Sequence, residues 1–401
     1  MTTSLLAGVQ MAPRDPILGV TEAFNADGSA NKVNLGVGVY YDDNGKVPVL
    51  ECVRRAERMF LENPPARSYL PIDGIPAYDR AVQQLLLGAD SPALIAGRVV
   101  TVQALGGTGG LKVGTDFLRR ITPLAKVWIS DPSWENHRAL FEYAGFEVAA
   151  YPYYDPATHG VAFGAMLSTF ESLPAGSIVV LHACCHNPTG ADLTPEQWRK
   201  VIEVIGRREL VPFVDIAYQG FAEGLEPDAQ VVRHFAASCP VVFISSSFSK
   251  SLSLYGERVG ALSLVTETAD QAARTLSQLK RVIRTNYSNP PTHGGQIVCA
   301  VLTTPELRAL WEEELSRMRL RIRSMREQLV NKVEANRPGA DFSFVLQQRG
   351  MFSYSGLSKE AVSRLREKYS IYAIDTGRIC VAALNSRNID YVAGAIAAVM
   401  S

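Results

Sequence analysis

The sequence has no surplus of charge, no long apolar run and few cysteines, and each shortage removes a class of function. Forty Lys and Arg balance forty Asp and Glu over 401 residues, so no general field draws the chain to nucleic acid or to an anionic membrane surface. No apolar stretch is long enough to cross a bilayer. The opening MTTSLLAGVQMAPRDP lacks the basic start and sustained apolar core of a secretory signal. The six cysteines (Cys52, Cys184, Cys185, Cys239, Cys299 and Cys380) include no CxxC pair. Adjacent Cys184 and Cys185 are poorly placed for a structural disulfide network. Reduced thiols and a cytoplasmic location are therefore the expectation. No internal repeat or low-complexity segment stands out.

What is present is core-forming material. With 47% hydrophobic and 20% charged residues, the chain can bury a large core in two or more lobes. The first forty residues read as irregular, with Pro13, Pro16 and the turn Asn25–Gly28, followed by a short strand over Val33–Tyr40. Helical periodicity marks Glu51–Asn63 and Ile75–Leu87. From residue 98 to about 265, strands alternate with helices. The strands are Val99–Ala104, Lys126–Ser130, Val148–Tyr153, Ile178–Ala183, Val211–Asp215, Val241–Ser245 and Gly260–Val265. The pattern predicts an α/β fold with a mostly parallel sheet between helical layers. Thr194 is placed to cap the Pro195–Arg208 helix. A long arginine-dense helix follows from Glu306 to about Val333. Residues 342–401 read as a smaller α+β lobe, with strands at Phe342–Gln347, Ile371–Ile374 and Arg378–Ala382.

Ligands gather at the carboxyl ends of strands in parallel α/β sheets, and several reactive residues fall there. Lys250 sits in VVFISSSFSKSLSLYGERVG, among hydroxyls and upstream of Arg258. That stretch suits an amine holding a phosphorylated carbonyl cofactor, or equally a solvated serine loop. Gly106-Gly107-Thr108 opens a helix and could hold a phosphate, or simply make a tight turn. Asp215 ends a strand and could pair with a protonated ring nitrogen or cap the next turn. Trp134 offers an aromatic face, or core packing. The His182–His186 stretch is dense in Cys and His, but its spacing matches no zinc pattern. Arg378 has the fork that suits a carboxylate, or is one surface arginine among many.

The ordered series Tyr69, Gly106-Gly107-Thr108, Trp134, Asn187-Pro188-Thr189-Gly190, Asp215, Tyr218, Ser247-Phe248-Ser249-Lys250, Arg258 and Arg378 resembles the class I pyridoxal-phosphate aminotransferases of the aspartate and aromatic amino acid group. The likeness runs from Ala12-Pro13-Arg14-Asp15-Pro16 to the C-terminal helix. It implies fold type I, with a large cofactor-binding domain at 46–317 and a small domain formed by 1–45 and 318–401. By that resemblance Lys250 is the Schiff-base lysine and proton carrier. Asp215 partners the pyridinium nitrogen, with His137 behind it. Asn187 and Tyr218 hydrogen-bond the ring's phenolic oxygen, and Trp134 stacks on the ring. Gly107, Thr108, Ser247, Ser249 and Arg258 form the phosphate cup.

Tyr69 and Arg284 are then the residues supplied across a homodimer interface, to the phosphate and to a side-chain carboxylate respectively. Arg378 holds the substrate α-carboxylate, with Gly38, Tyr41, Trp134 and Asn187 also at the substrate. Val37-Gly38 and Phe352 are contact points when the small lobe closes. The substrates implied are amino acids and 2-oxo acids exchanged by a ping-pong route. Tyr40-Tyr41 and Arg378–Ala382 resemble the type that accepts phenylalanine and tyrosine, whereas Thr108 and Asn289 are also carried by the dicarboxylate type. The expectation is aromatic transamination with retained activity on aspartate and glutamate; the alternative is an aspartate aminotransferase with mainly dicarboxylate substrates. No metal, nucleic acid or membrane partner is expected.

Overall fold

A seven-stranded sheet organises the chain in the computed structural model, which describes residues 5–12 and 16–400, with the side chains of 16–18 excepted. Pro13, Arg14 and Asp15, part of the resemblance's first motif, lie outside the described residues. The strands are β1 (Val99–Leu105), β2 (Lys126–Asp131), β3 (Glu147–Pro152), β4 (Ile178–His182), β5 (Val211–Ile216), β6 (Val242–Ser247) and β7 (Val259–Val265). Their order is β1-β7-β6-β5-β4-β2-β3. The β6-β5-β4-β2-β3 run is parallel throughout, while β7 is antiparallel to both β1 and β6.

Central strands read as continuous apolar runs because both faces are covered; β4, β6 and β7 are buried along their whole length. On one face the Gly106–Ile121 and Ala269–Asn286 helices place Leu111, Phe117, Leu279 and Ile283 against Phe213 and Phe243. The other face carries the larger core, including Val201, Val232, Val298 and Leu315. Thr194 caps its helix as expected, in a reciprocal capping box with Gln197.

The long helix spans Pro305–Asn336, roughly 48 Å at the usual rise. Beyond it, Phe352–Tyr354 pairs antiparallel with Arg378–Cys380, and Val33–Asn34 pairs parallel with Ile371–Tyr372. Among the described residues no helix is long and apolar enough to cross a membrane.

Several expected elements differ. The N-terminal stretch is not wholly irregular, because Pro16–Ala26 is helical. The Val33–Tyr40 strand shrinks to two residues; the rest threads between C-terminal segments, where Leu35 N donates to Tyr372 O and Leu35 O accepts from Cys380 N, both at 2.8 Å. Such split pairing satisfies the backbone without a ladder. In place of the expected Phe342–Gln347 strand, Ser343–Gln347 is a 3₁₀ turn, begun by Asp341 Oδ1 accepting from the backbone N–H and hydroxyl of Ser343. The last expected strand ends at Cys380 and passes into a 3₁₀ turn at Val381–Ala383. Helices at Leu225–Ser238, Ala269–Asn286 and His293–Thr303 are additions.

Candidate active site

A cleft of about 250 Å³ opens at the carboxyl ends of β1, β4, β5 and β6, and is closed on the far side by Gly38, Phe352 and Arg378. Lys250 lies in its wall, on the loop after β6. That loop is fixed by local bonds, Leu252 N to Phe248 O at 3.2 Å and Ser253 N to Lys250 O at 3.1 Å. Trp311 of the long helix donates from Nε1 to Ser251 O at 2.7 Å. Lys250 Nζ stands 4.9 Å from the centre of the Tyr218 ring. Burial pulls the lysine below its ordinary pKa, with Arg258 adding to that and Asp215 opposing it.

Asp215, at the end of β5, is buried. Its Oδ2 is 2.9 Å from His137 Nε2, and His137 Nδ1 is 3.0 Å from Ser133 Oγ. Oδ1 is buried with no partner among the described residues. Burial alone would raise this carboxyl, yet the His137 hydrogen bond and the fields of His137, His182 and Lys250 hold it below the usual value. An anion with one bare oxygen in a cleft is what a protonated ring nitrogen needs as a partner.

The Gly106–Thr108 turn, Ser247, Ser249 and Arg258 meet at one edge. Ser249 N donates to Ser247 Oγ at 3.2 Å, and Arg258 Nη1 donates to Ser249 Oγ at 3.3 Å and Tyr255 O at 3.0 Å. Arg258 is held at φ +55°, a left-handed conformation that costs a non-glycine residue about 1–2 kcal/mol. Its guanidinium leaves no room for a side chain at Gly106, where a Cβ would fall 2.5 Å from Nη2. The serines of this stretch divide. Ser245 Oγ donates to Gly107 O and Ser253 Oγ to Pro48 O, so both brace backbone. Hydroxyls, a guanidinium and the start of the Gly106–Ile121 helix together could hold a phosphate.

Arg378 is fully buried. It donates from Nη2 to Gly36 O at 2.7 Å and from Nη1 to Asn187 Oδ1 at 3.2 Å, and its Nε has no partner among the described residues. Its guanidinium lies 4.4 Å from the centre of the Phe352 ring. Trp134 lines the same cleft with its ring edge-on to His137, centroids 5.3 Å apart.

The fold thus gathers Lys250, Asp215, Tyr218, Trp134, Gly107, Thr108, Asn187, Ser247, Ser249, Arg258, Arg378 and Gly38 around one cleft. It does not bring in three others. Tyr69 is 92% exposed, and Arg284 is exposed with its Nη1 on Ser288 Oγ. Tyr41 lines a neighbouring open cavity with Val37 and Asn34.

Three cleft residues, Ala217, Tyr255 and His182, were assigned no site role by the sequence. Tyr255 accepts from Tyr40 N at 2.9 Å, tying the lysine loop to the N-terminal segment. His182, at the end of β4, has both ring nitrogens buried and without a partner among the described residues; burial, then His137, push it down to about 3, against the pull of Asp215. Its position at a strand end was the available signal, obscured by the neighbouring cysteines. His137, His182 and Asp215 offer ligand atoms within 4.8 Å of one another, but both His137 nitrogens are engaged by Ser133 and Asp215.

Residues 30–396 match the family described as aminotransferase class I and II. The chain is 60% identical to an aspartate aminotransferase of Pseudomonas aeruginosa over 397 residues, covering 99% of this chain and 100% of that protein. It is 52% identical to the aromatic-amino-acid aminotransferase of Escherichia coli over 387 residues, 96% and 98% of the two chains. An aromatic-amino-acid aminotransferase structure from Burkholderia pseudomallei, covalently bound to pyridoxal phosphate, superposes with a TM-score of 0.98 at 65% identity and full coverage of both chains. With a fold, a cleft and a sequence that agree over their whole extent, the chain belongs to the class I and II aminotransferase family.

Proposed function

We propose that this aminotransferase moves the amino group of tyrosine and phenylalanine to 2-oxoglutarate by a ping-pong route, with pyridoxal 5′-phosphate as cofactor and retained activity on aspartate and glutamate. One observation carries the reading: Lys250, the bare oxygen of Asp215 and the Arg378 fork all face one cleft. Lys250 would hold the cofactor covalently, and Ser247, Ser249, Arg258 and the Gly107–Thr108 backbone would hold its phosphate. Asp215 would face the ring nitrogen, Trp134 the ring, and Asn187 with Tyr218 the phenolic oxygen. Once bound, the cofactor supplies a cationic ring that stabilises the negative charge left when the substrate's α-proton departs.

The protein's own part is positional and acid–base. Arg378 receives the α-carboxylate in a buried site, where a bidentate pair fixes orientation. Lys250, its basicity reduced by burial, takes the α-proton on Nζ. Phe352 and Gly38 close the cleft from the small-lobe side and keep water out.

Tyr69 and Arg284 are exposed and do not line their own cleft, which supports a homodimer whose protomers exchange these residues. The division into 46–317 and 1–45 with 318–401 is part of the same reading. A cytoplasmic location fits six unpaired cysteines, five of them buried.

The aspartate-selective alternative draws support from the 60% identical relative's name. Measuring kcat/KM for phenylalanine, tyrosine and aspartate with 2-oxoglutarate decides between them. Aromatic values close to aspartate are expected; values far below it would sink the aromatic assignment.

A further inference from the structure

A second cavity of about 360 Å³ adjoins the cleft through the Gly350–Phe352 segment and has a lining that transamination does not use. Its walls come from the middle of the Pro305–Asn336 helix, the Phe221–Glu223 loop and residues 346–350. Four guanidiniums line it (Arg319, Arg323, Arg326 and Arg349) against two carboxylates, Glu223 and Glu327. Four positive charges less two negative leave a lining of about +2. Glu223 is shared between Arg323 at 3.2 Å and Arg349 at 2.9 Å.

Arg326 is the unusual member. Only 5% exposed, it donates from Nε to Ser353 Oγ at 3.3 Å, and from Nη2 to Gly350 O at 2.6 Å and Phe352 O at 3.3 Å. Its Nη1 has no hydrogen bond among the described residues, and no carboxylate there lies within ion-pair distance of it. Asp192, whose field reaches it, instead accepts from the backbone N–H groups of Cys185 and His186. Burial lowers this guanidinium to about 10, and Arg349 and Arg323 push the same way. A buried cation without a counter-ion is costly, so something should neutralise it.

We propose that this cavity binds a compact oxyanion of two negative charges, of the size of inorganic phosphate, between Arg326 Nη1 and the guanidiniums of Arg319, Arg323 and Arg349. The charge matches the lining, and the volume admits the ion with bound water. The site is built into the frame of the cleft: Arg326 holds the Phe352 carbonyl, and the Phe352 ring lies under Arg378. Arg349 N also donates to Gly190 O at 2.7 Å, on the loop that carries Asn187.

The test is calorimetric titration of inorganic phosphate into cofactor-loaded enzyme, so that the cofactor's own phosphate cradle is filled. Saturable binding is expected, weakened at least about tenfold in an Arg323→Gln/Arg349→Gln double variant. Retained transamination would show that this variant folds. Crystals of the wild-type enzyme soaked in tungstate should place the ion against Arg326. No saturable binding to the wild type, equal binding to the variant, or tungstate at Arg378 alone would each overturn the proposal.

Discussion

His137 Nε2 stands 2.9 Å from one oxygen of Asp215, and the other oxygen of that carboxylate is buried with no partner among the described residues. The histidine orients the carboxylate and, with His182 and Lys250, keeps it anionic against the effect of burial. Asp215→Asn should therefore lower kcat/KM by at least roughly 10²-fold, the scale for losing a preorganised charge in a dry site. His137→Phe should cost less, about tenfold or 1.4 kcal/mol. Because the folded pKa lies below the ordinary aspartate value, the anion persists at every pH above that range. The stability it contributes is present above about 4 and is lost only as pH falls lower still. Rate profiles between pH 5 and 9 should show no step from Asp215.

On the proposed roles, Lys250→Ala removes both the covalent anchor and the proton carrier. Steady-state turnover should fall by many orders of magnitude, and the protein should lose the visible absorbance of a covalently held cofactor. A yellow, active alanine variant would contradict the assignment.

Arg378 and Arg284 should separate cleanly by substrate. If Arg378 holds the α-carboxylate as proposed, Arg378→Leu should cost every amino acid about 2–5 kcal/mol in kcat/KM whatever the side chain. Arg284→Leu should lower aspartate and glutamate turnover while leaving phenylalanine close to wild type. Equal losses for both substrate classes in the Arg284 variant would remove that residue from the side-chain site.

A methyl group at position 38 has no room. A Cβ there would lie 2.5 Å from Phe352 Cζ, so Gly38→Ala must push the Val37–Gly38 segment or the Phe352 ring aside. Overpacking of this kind costs about 1–3 kcal/mol. The expected result is a lower Tm and a raised KM for the amino acid, read by thermal melts and initial rates.

Asp79 gives a pH signature outside the cleft. Burial first, then Asp73, raise its carboxyl to about 8, while Arg80 and Lys280 oppose. The unfolded chain releases this proton near 3.8 but the folded protein keeps it until about 8. Stability from this group is thus full at low pH and is lost as pH rises through that window. Asp79→Asn should raise Tm at pH 8–9 relative to wild type, with little gain at pH 4.

The alternation of strands and helices between residues 98 and 265 was legible because buried parallel strands leave unbroken apolar runs. The cleft residues were legible as an ordered set, through the family resemblance, and twelve of them do meet. What periodicity missed has physical causes. The Ala269–Asn286 helix lies in a charged stretch whose apolar face is narrow, and Leu225–Ser238 begins after Gly224 with no side-chain cap. Phe342–Gln347 reads as a strand by composition, but Asp341 turns it into a helical loop. His182 and Tyr255 were invisible as site residues because their neighbours are placed by long-range packing, not by spacing along the chain.

One reversed strand decides where Arg258 can act. β7 begins where β1 and β6 finish, with Val259 opposite Leu105 and Gly260 opposite Ser247. Arg258, one residue ahead of that start, is delivered beside the glycine turn and the serines. Were β7 to run the other way, its seven residues would carry the guanidinium to the opposite rim, roughly 20 Å off at the usual rise. Chain direction at a single position in the sheet therefore works as an address. A circular permutant that opened the loop between β6 and β7 would leave each strand intact, yet release the lysine and the arginine from their shared tether.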